Sequence, residues 1–420
     1  MTTHDSAADR RQFLAALAVA AATPSAAFGK TANHAAVRVL VDHYVSTKQV
    51  PNLVVAVGRR DGPPDFISAG TLELGAGPTA GPDTLYRIYS MSKLIAGCAI
   101  MMLIEDGKLT LDTPLSSILP AFANMTVLTD PENSVATRPA VKQITIRHLV
   151  THTSGLSYST MSPPPLAKLY FDKGIDPGRT SQVTIGHRPM GLAAFSDAAA
   201  SLPLLFEPGT KWNYSIGLDI AGSVVEKLTG LAFEDFLAQR IFAPLGMVDT
   251  FFIVPAAKLG RFVANYAFTP TGIELIETAQ NSIFAQKPEA PSGGGGLVSS
   301  ARDYSKFMAM LLGEGQAGKT RILKTETARV MMSNIMEPGV IAETSSGPTG
   351  FGAGGRSVVT ATPGGEAVGT YGWSGAANSH AFVDRASGVY VVLMTQVMRW
   401  TNSTLLPDLD KALYADLAAK

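Results

Sequence analysis

Apolar residues recur at helical spacing along "AAVRVLVDHYV", residues 35–45, and predict a helix near the start of the chain. Two extended runs follow, "NLVVAVGRRDG" and "DFISAGTLELG", joined at Gly62, Pro63 and Pro64, which reads as an antiparallel hairpin. The far end mirrors this order. "HAFVDRASGVYVVLMTQV" turns at Ser387 and Gly388 as a second hairpin, and "LPDLDKALYADLAA" predicts a terminal helix. The pattern is an α+β fold in which an antiparallel sheet is flanked by helices from both termini. Residues 109–317 read mainly as helices broken by Pro- and Gly-rich loops such as "MSPPPLAKLYFDKGIDPGR" and "EAPSGGGGLVSSARDYSKFMAMLLGEG". The expected organisation is therefore an α/β lobe built from 31–108 and 318–420, with a mainly helical domain, 109–317, inserted between its halves. The cleft between the two is where a concave site belongs.

The run from Ser90 to about Asp106 is apolar nearly all round and stops at Gly107, which predicts a central buried helix. Its first residues, "YSMSKLIAG", put Ser90 and Lys93 three apart on one face. A capping box would carry Glu or Gln at that spacing. An ammonium near the positive helix end instead costs ~0.3–1 kcal/mol. Burial and the helix dipole both favour the neutral amine, which would accept a proton from Ser90. Taken alone, S-x-x-K favours a structural serine beside a snorkelling lysine.

Two further segments change that weighting. "FEPGTKWNYSIGLDIAGSVVEKLTG" places Tyr214 in a turn ahead of a helix running from about Leu218 to Leu228. A buried phenol is ordinarily a packing group with one hydrogen bond. One facing a Ser–Lys pair could instead be held partly as phenolate and shuttle the serine proton. "VGTYGWSGAANSHAFVD" offers Trp373, Ser374 and Gly375 just before a strand, a small-residue edge where a carbonyl can approach backbone amides.

"SMSK", "ITIRHLVTHTSGLSY", "PGTKWNYS", "GGGGLVSSARDYSKFMAMLL" and "YGWSG", in this order, resemble the serine β-lactamase and penicillin-binding superfamily, and most nearly its family VIII carboxylesterases. The resemblance covers nearly everything after residue 35. It implies that Ser90 is an acylated nucleophile with Lys93 and Tyr214 as acid/base partners. It also implies an oxyanion hole formed by the backbone N–H groups of Ser90 and Ala376. Substrate contacts would come from Trp373, Ser374, Gly375, Ile216 and Tyr158, with loops near Tyr158 and between Met161 and Met190 shaping the pocket. Two departures from the class C β-lactamase pattern bear on substrate. The place two after the tyrosine, an Asn there, is Ile216, and the third motif, Lys-Thr-Gly there, is Trp373-Ser374-Gly375. An apolar side chain and an indole do not hold a lactam's amide and carboxylate, so the expectation is a carboxylesterase for small to medium neutral esters. The alternatives on the same scaffold are a β-lactamase, a D-amino-acid amidase or peptidase, or an acyltransferase. A non-catalytic binding protein is the third reading.

Composition narrows the partners. Lys plus Arg and Asp plus Glu both number 34 in 420 residues, so nothing recruits nucleic acid, and the expected partner is a small-molecule ester. No cofactor is called for, and oligomeric state carries no sequence signal. Cys98, the one cysteine, falls in the apolar helix and reads as an inert buried thiol. The apolar runs 13–22 and 94–104 are too short to span a bilayer, which takes ~20 residues. Arg10 and Arg11 ahead of an Ala-rich run resemble a twin-arginine export signal in residues 1–30, pointing to a periplasmic or secreted enzyme, with a cytoplasmic one as the alternative. "GEGQAGKT", residues 313–320, matches the P-loop pattern but lacks the strand before and helix after, so it reads as a surface turn. "GWSGA" lacks nucleophile-elbow spacing. His148 and His152, four apart without an acidic neighbour, read as structural rather than as metal ligands.

Overall fold

The computed structural model describes residues 34–60, 62–175, 191–344, 347–398, 400 and 403–419. The expected export leader, 1–30, and loop residues 176–190 lie outside the described residues. Nine strands make the main sheet: β1 Asn52–Arg59, β2 Asp65–Glu73, β3 Ala76–Thr79, β4 Ala342–Thr344, β5 Gly347–Phe351, β6 Arg356–Ser357, β7 Tyr371–Ser374, β8 His380–Asp384 and β9 Val389–Met394. Their order is β4-β5-β6-β7-β8-β9-β1-β2-β3, antiparallel throughout. The two predicted hairpins thus meet at β1 and β9, where Val54 pairs with Met394 and Arg59 with Val389.

Both faces of β1 are covered, which explains its nearly unbroken apolar run. Leu53, Val55 and Val57 pack under helix α1, Ala35–Ser46, and the terminal helix, Leu405–Ala418. Val54 and Ala56 face the other way, toward a core that includes helix α2, Ser92–Glu105. Full burial of each such Val or Leu contributes ~1.5–3 kcal/mol. The terminal helix also closes α1: Asp416 accepts the N–H groups of Ala36 and Val37 at 3.0 and 3.1 Å, supplying the cap that His34 does not.

Helix α2 is buried along almost its whole length, and Gly97 lets strand-side backbone cross it closely. A Cβ there would lie 2.1 Å from the Ala353 carbonyl oxygen. Cys98 on the same helix is fully buried, which pushes its thiol far above the ordinary range. Within 109–317, helix α3, Gly217–Thr229, packs on α2 and ends at Gly230 in a left-handed conformation, φ 73°. Helix α4, Ala301–Leu312, packs against β1 and β9. Strand Val298–Ser300 pairs with Leu85–Arg87, and Asn265–Thr269 pairs with Gly272–Glu277 and with Val397–Met398. The "GEGQAGKT" stretch, read as a surface turn, holds the turn of a short hairpin, Gln316–Ala317 against Thr320–Arg321. No helix among the described residues is long and apolar enough to cross a membrane.

Candidate active site

The predicted helix start is displaced by two residues. Helix α2 begins at Ser92, and Ser90 lies in a preceding 3₁₀ turn, Tyr89–Met91, so it caps nothing. Tyr89 sits at φ 42°, a left-handed conformation that costs a non-glycine residue about 1–3 kcal/mol. Surrounding contacts enforce it. Asn265 Nδ2 donates to Tyr89 Oη at 2.9 Å, Tyr304 Oη donates to the Met91 carbonyl at 2.8 Å, and Leu297 N–H donates to Ser92 Oγ at 3.2 Å. The sharp turn leaves Ser90 half-buried at a cavity wall while the helix behind it stays in the core.

Lys93 is 1% exposed, so its ammonium stem does not snorkel. Nζ donates to the Gly294 carbonyl at 2.5 Å and reaches Ser90 Oγ at 3.2 Å. Two phenol rings cover it, with centroids 4.5 Å away for Tyr214 and 5.4 Å for Tyr158. The two tyrosines differ in what their oxygens meet. Tyr158 Oη donates to Asp219 Oδ2 at 3.2 Å, and burial followed by the Asp219 charge holds that phenol protonated, well above its ordinary range. Tyr214 Oη instead accepts the indole N–H of Trp373 at 3.1 Å.

His152 supports Tyr214 from beneath, with ring centroids 4.8 Å apart. Its Nδ1 accepts the Ser215 N–H at 3.2 Å, which puts the ring proton on Nε2. Burial, then the nearby Lys93 charge, holds the imidazole neutral. His148 Nδ1 accepts the Thr145 N–H in a capping box that opens the short helix Ile146–Val150. Among the described residues no three His, Cys, Asp or Glu side chains gather as a metal site.

The "YGWSG" edge reaches the serine through a tight turn. Gly375 N–H donates to Ser379 O at 2.8 Å, and Asn378 Nδ2 donates to Val397 O at 2.8 Å. A Cβ on Gly375 would lie 2.6 Å from the Ile88 carbonyl oxygen, so only glycine lets this turn press on the backbone before Ser90. Ala376 lines the same cavities as Ser90, and its N–H has no acceptor among the described residues. Ser374 Oγ lies 2.8 Å from His380 Nδ1 and forms part of the wall. Ile216 does not join them. It precedes α3 as its N-cap residue, fully buried in the main core, and lines neither cavity, because the turn that exposes Tyr214 sends position 216 inward.

Two cavities open on Ser90. One of about 690 Å³ runs past Trp212, Tyr214 and Trp373 to a charged end where Arg356 pairs with Glu366 and burial pushes Asp410 up to about 7. The other, about 230 Å³, lies over Lys93 between Tyr89, Tyr158, Met161 and Met398. Sequence reasoning missed His152 and Asp219 as parts of this site. The available signal for Asp219 was an acid between Leu218 and Ile220 on an otherwise apolar helix face.

Burial, with Arg356 nearby, holds His380 down at about 3. The unfolded chain therefore takes up that proton first. The stabilisation is fully present above ~6.5 and is lost as pH falls toward 3, by at most ~1.4 kcal/mol per pH unit. Urea midpoints between pH 7.5 and 4.5 should fall, and His380→Gln should flatten that slope; equal slopes in both proteins would refute the assignment.

The Beta-lactamase family model matches residues 37–415. Esterase EstB of Burkholderia gladioli is 33% identical over 347 residues, covering 78% of this chain and 81% of that esterase. A lovastatin esterase of Penicillium rubens is 29% identical over 360 residues, covering 80% and 86%. Among solved structures, EstCE1, described as a hydrolase with promiscuous acyltransferase activity, superimposes with a TM-score of 0.76 at 26% identity, covering 91% of this chain and 98% of its own.

Proposed function

Because this chain belongs to the beta-lactamase family, we propose that it is a serine carboxylesterase of the family VIII type, working through an acyl-Ser90 intermediate. The observation that carries the reading is Ser90 Oγ, 3.2 Å from the buried Lys93 amine, where two cavities meet beside an Ala376 N–H that has no acceptor among the described residues. Ser90 Oγ attacks the ester carbonyl carbon while its proton passes to Lys93 and Tyr214. The N–H groups of Ser90 and Ala376 bind the developing oxyanion; such donors supply ~2.7–4 kcal/mol each. The ester C–O bond breaks, and the alcohol leaves with the proton returned by Tyr214. Water then attacks the acyl carbon, the Ser90 Oγ–acyl bond breaks, the water's proton returns through the same pair to Ser90 Oγ, and the acid departs.

Parts of both predicted domains contribute: the 3₁₀ turn, α2 and β7 carry Ser90, Lys93 and Trp373, and the stretch 109–317 carries Tyr158, Tyr214 and Gly294. The case against carboxylate-bearing lactams now rests on Trp373 alone, since Ile216 is buried away from the cavities. Trp373 holds the Tyr214 oxygen where the class C pattern has a lysine, so no cation there attracts a substrate carboxylate. Neutral esters fit such a wall. Rates on p-nitrophenyl butyrate, nitrocefin and a D-alanyl amide are expected to favour the ester by about 100-fold, with an acyl adduct at Ser90 by mass spectrometry. Faster nitrocefin turnover, or an adduct elsewhere, would sink the reading.

The wide cavity supports acyl transfer as a second outcome, because it leaves room for an alcohol in place of water beside the acyl group. Adding 1-butanol should then yield butyl ester. The twin-arginine resemblance of residues 1–30 supports export, which N-terminal sequencing of the secreted fraction would test.

A further inference from the structure

The esterase reading gives no work to Asp219, a carboxylate 5% exposed in the first turn of α3. It has no basic partner among the described residues. Instead three neutral donors converge on it: the Gly294 N–H at 3.1 Å and the Ser292 hydroxyl on Oδ1, and the Tyr158 phenol at 3.2 Å on Oδ2. Burying an unpaired carboxylate is expensive, and a helix that needed only packing would carry an apolar residue there. The three donors come from the two segments that cover Lys93.

We infer that Asp219 is a positioning residue for Lys93, acting through the glycine loop 293–296. This rests on the proposed role of the Ser90–Lys93 pair. The link is one residue, Gly294, whose N–H is fixed on Asp219 while its carbonyl takes the hydrogen bond from Lys93 Nζ at 2.5 Å. With Nζ anchored on that carbonyl, the amine is held toward Ser90 Oγ, 3.2 Å away. The Tyr158 phenol, tied to the same carboxylate, keeps its ring over the amine from the other side.

The glycines follow from this contact. A Cβ on Gly294 would fall 2.3 Å from Asp219 Oδ2 and 2.8 Å from Tyr158 Oη, and one on Gly293 would fall 2.4 Å from the Leu218 carbonyl oxygen. The run "GGGG" is thus what lets a loop lie flat on the first turn of α3 with its carbonyl turned to Lys93. An asparagine at 219 keeps the shape but offers one acceptor oxygen and a competing NH₂ to three donors.

Asp219→Asn is the test. The expected result is a fall of about 100-fold in kcat for p-nitrophenyl butyrate, the scale of misplacing a reacting group by about 1 Å. KM should stay within about threefold and the melting temperature within a few degrees. Gly294→Ala, which displaces the loop without touching charge, should lower kcat with KM unchanged in the same way. Tyr158→Phe removes one donor and keeps the fold assessable should Asp219→Asn unfold; it should cost about tenfold in kcat alone. A kcat near wild type in Asp219→Asn, or in Tyr158→Phe where only that variant folds, overturns the inference, as does a loss matched by a rise in KM and a lower melting temperature. Fluorophosphonate labelling of wild-type Ser90 separates the two readings. Absent labelling defeats the esterase proposal itself; normal labelling with an unaffected Asp219→Asn defeats only this one.

Discussion

Ser90→Ala is expected to lower p-nitrophenyl butyrate turnover by about 10⁴-fold or more, the scale at which a removed nucleophile leaves only binding and oxyanion stabilisation. The fold should hardly notice. Ser90 is half-buried at a cavity wall, its hydroxyl is reached by Lys93 alone among the described residues, and Lys93 keeps its stronger contact to the Gly294 carbonyl. Loss of one such hydroxyl should change stability by no more than ~0.5 kcal/mol. Activity of the purified variant by spectrophotometry, beside its thermal melt, checks both halves. A variant that melts normally and still turns over the ester would remove Ser90 from the chemistry. The acyl adduct seen by intact mass in wild type should vanish with it.

Lys93→Met keeps the unbranched stem and removes the amine. General acid–base help of this kind is worth 10²–10⁴-fold, so acylation should slow by about 10³-fold. The cost to stability is larger than for Ser90, because the Gly294 carbonyl loses its donor in a buried place, about 1–3 kcal/mol. Pre-steady-state release of p-nitrophenol and a urea titration measure the two effects. Combined with Ser90→Ala, the second substitution should add almost nothing, since the pair works as a unit. Independent, multiplying losses would mean that Lys93 serves something other than Ser90.

The parts of the fold that could be read from sequence are those whose cause is local. Extended apolar runs bounded by turn residues give β1–β2 and β8–β9, helical spacing gives α1 and the terminal helix, and a continuous apolar run stopping at Gly107 gives α2. The Ser90–Lys93 pair was visible for the same reason, lying within one turn of chain. Its exact setting was not: no propensity announces a left-handed Tyr89, which exists because Asn265 and its neighbours hold it there. Tyr214 and the 373–376 edge lie far from Ser90 in sequence, and only resemblance in order grouped them with it. Ile216 was placed by motif position, which carries no information about which way a side chain turns as a helix begins. Asp219 reads locally as an acid favoured at a helix N-terminus. Its contacts to residues 158, 292 and 294 have no local signature.

The closure of α1 by Asp416 also has a consequence for the order in which the molecule is made. Chains emerge N-terminal first, at about 5–20 residues per second. Helix α1 leaves the ribosome without its cap, and β1 leaves without β9, its neighbour in the sheet. Neither finds its partner until residues 389–394 and 416 have been added. Ser90 likewise waits almost 300 residues for Ala376. A nascent or C-terminally truncated chain should therefore be inert and open to proteases, and pairing of such high sequence separation should make folding slow.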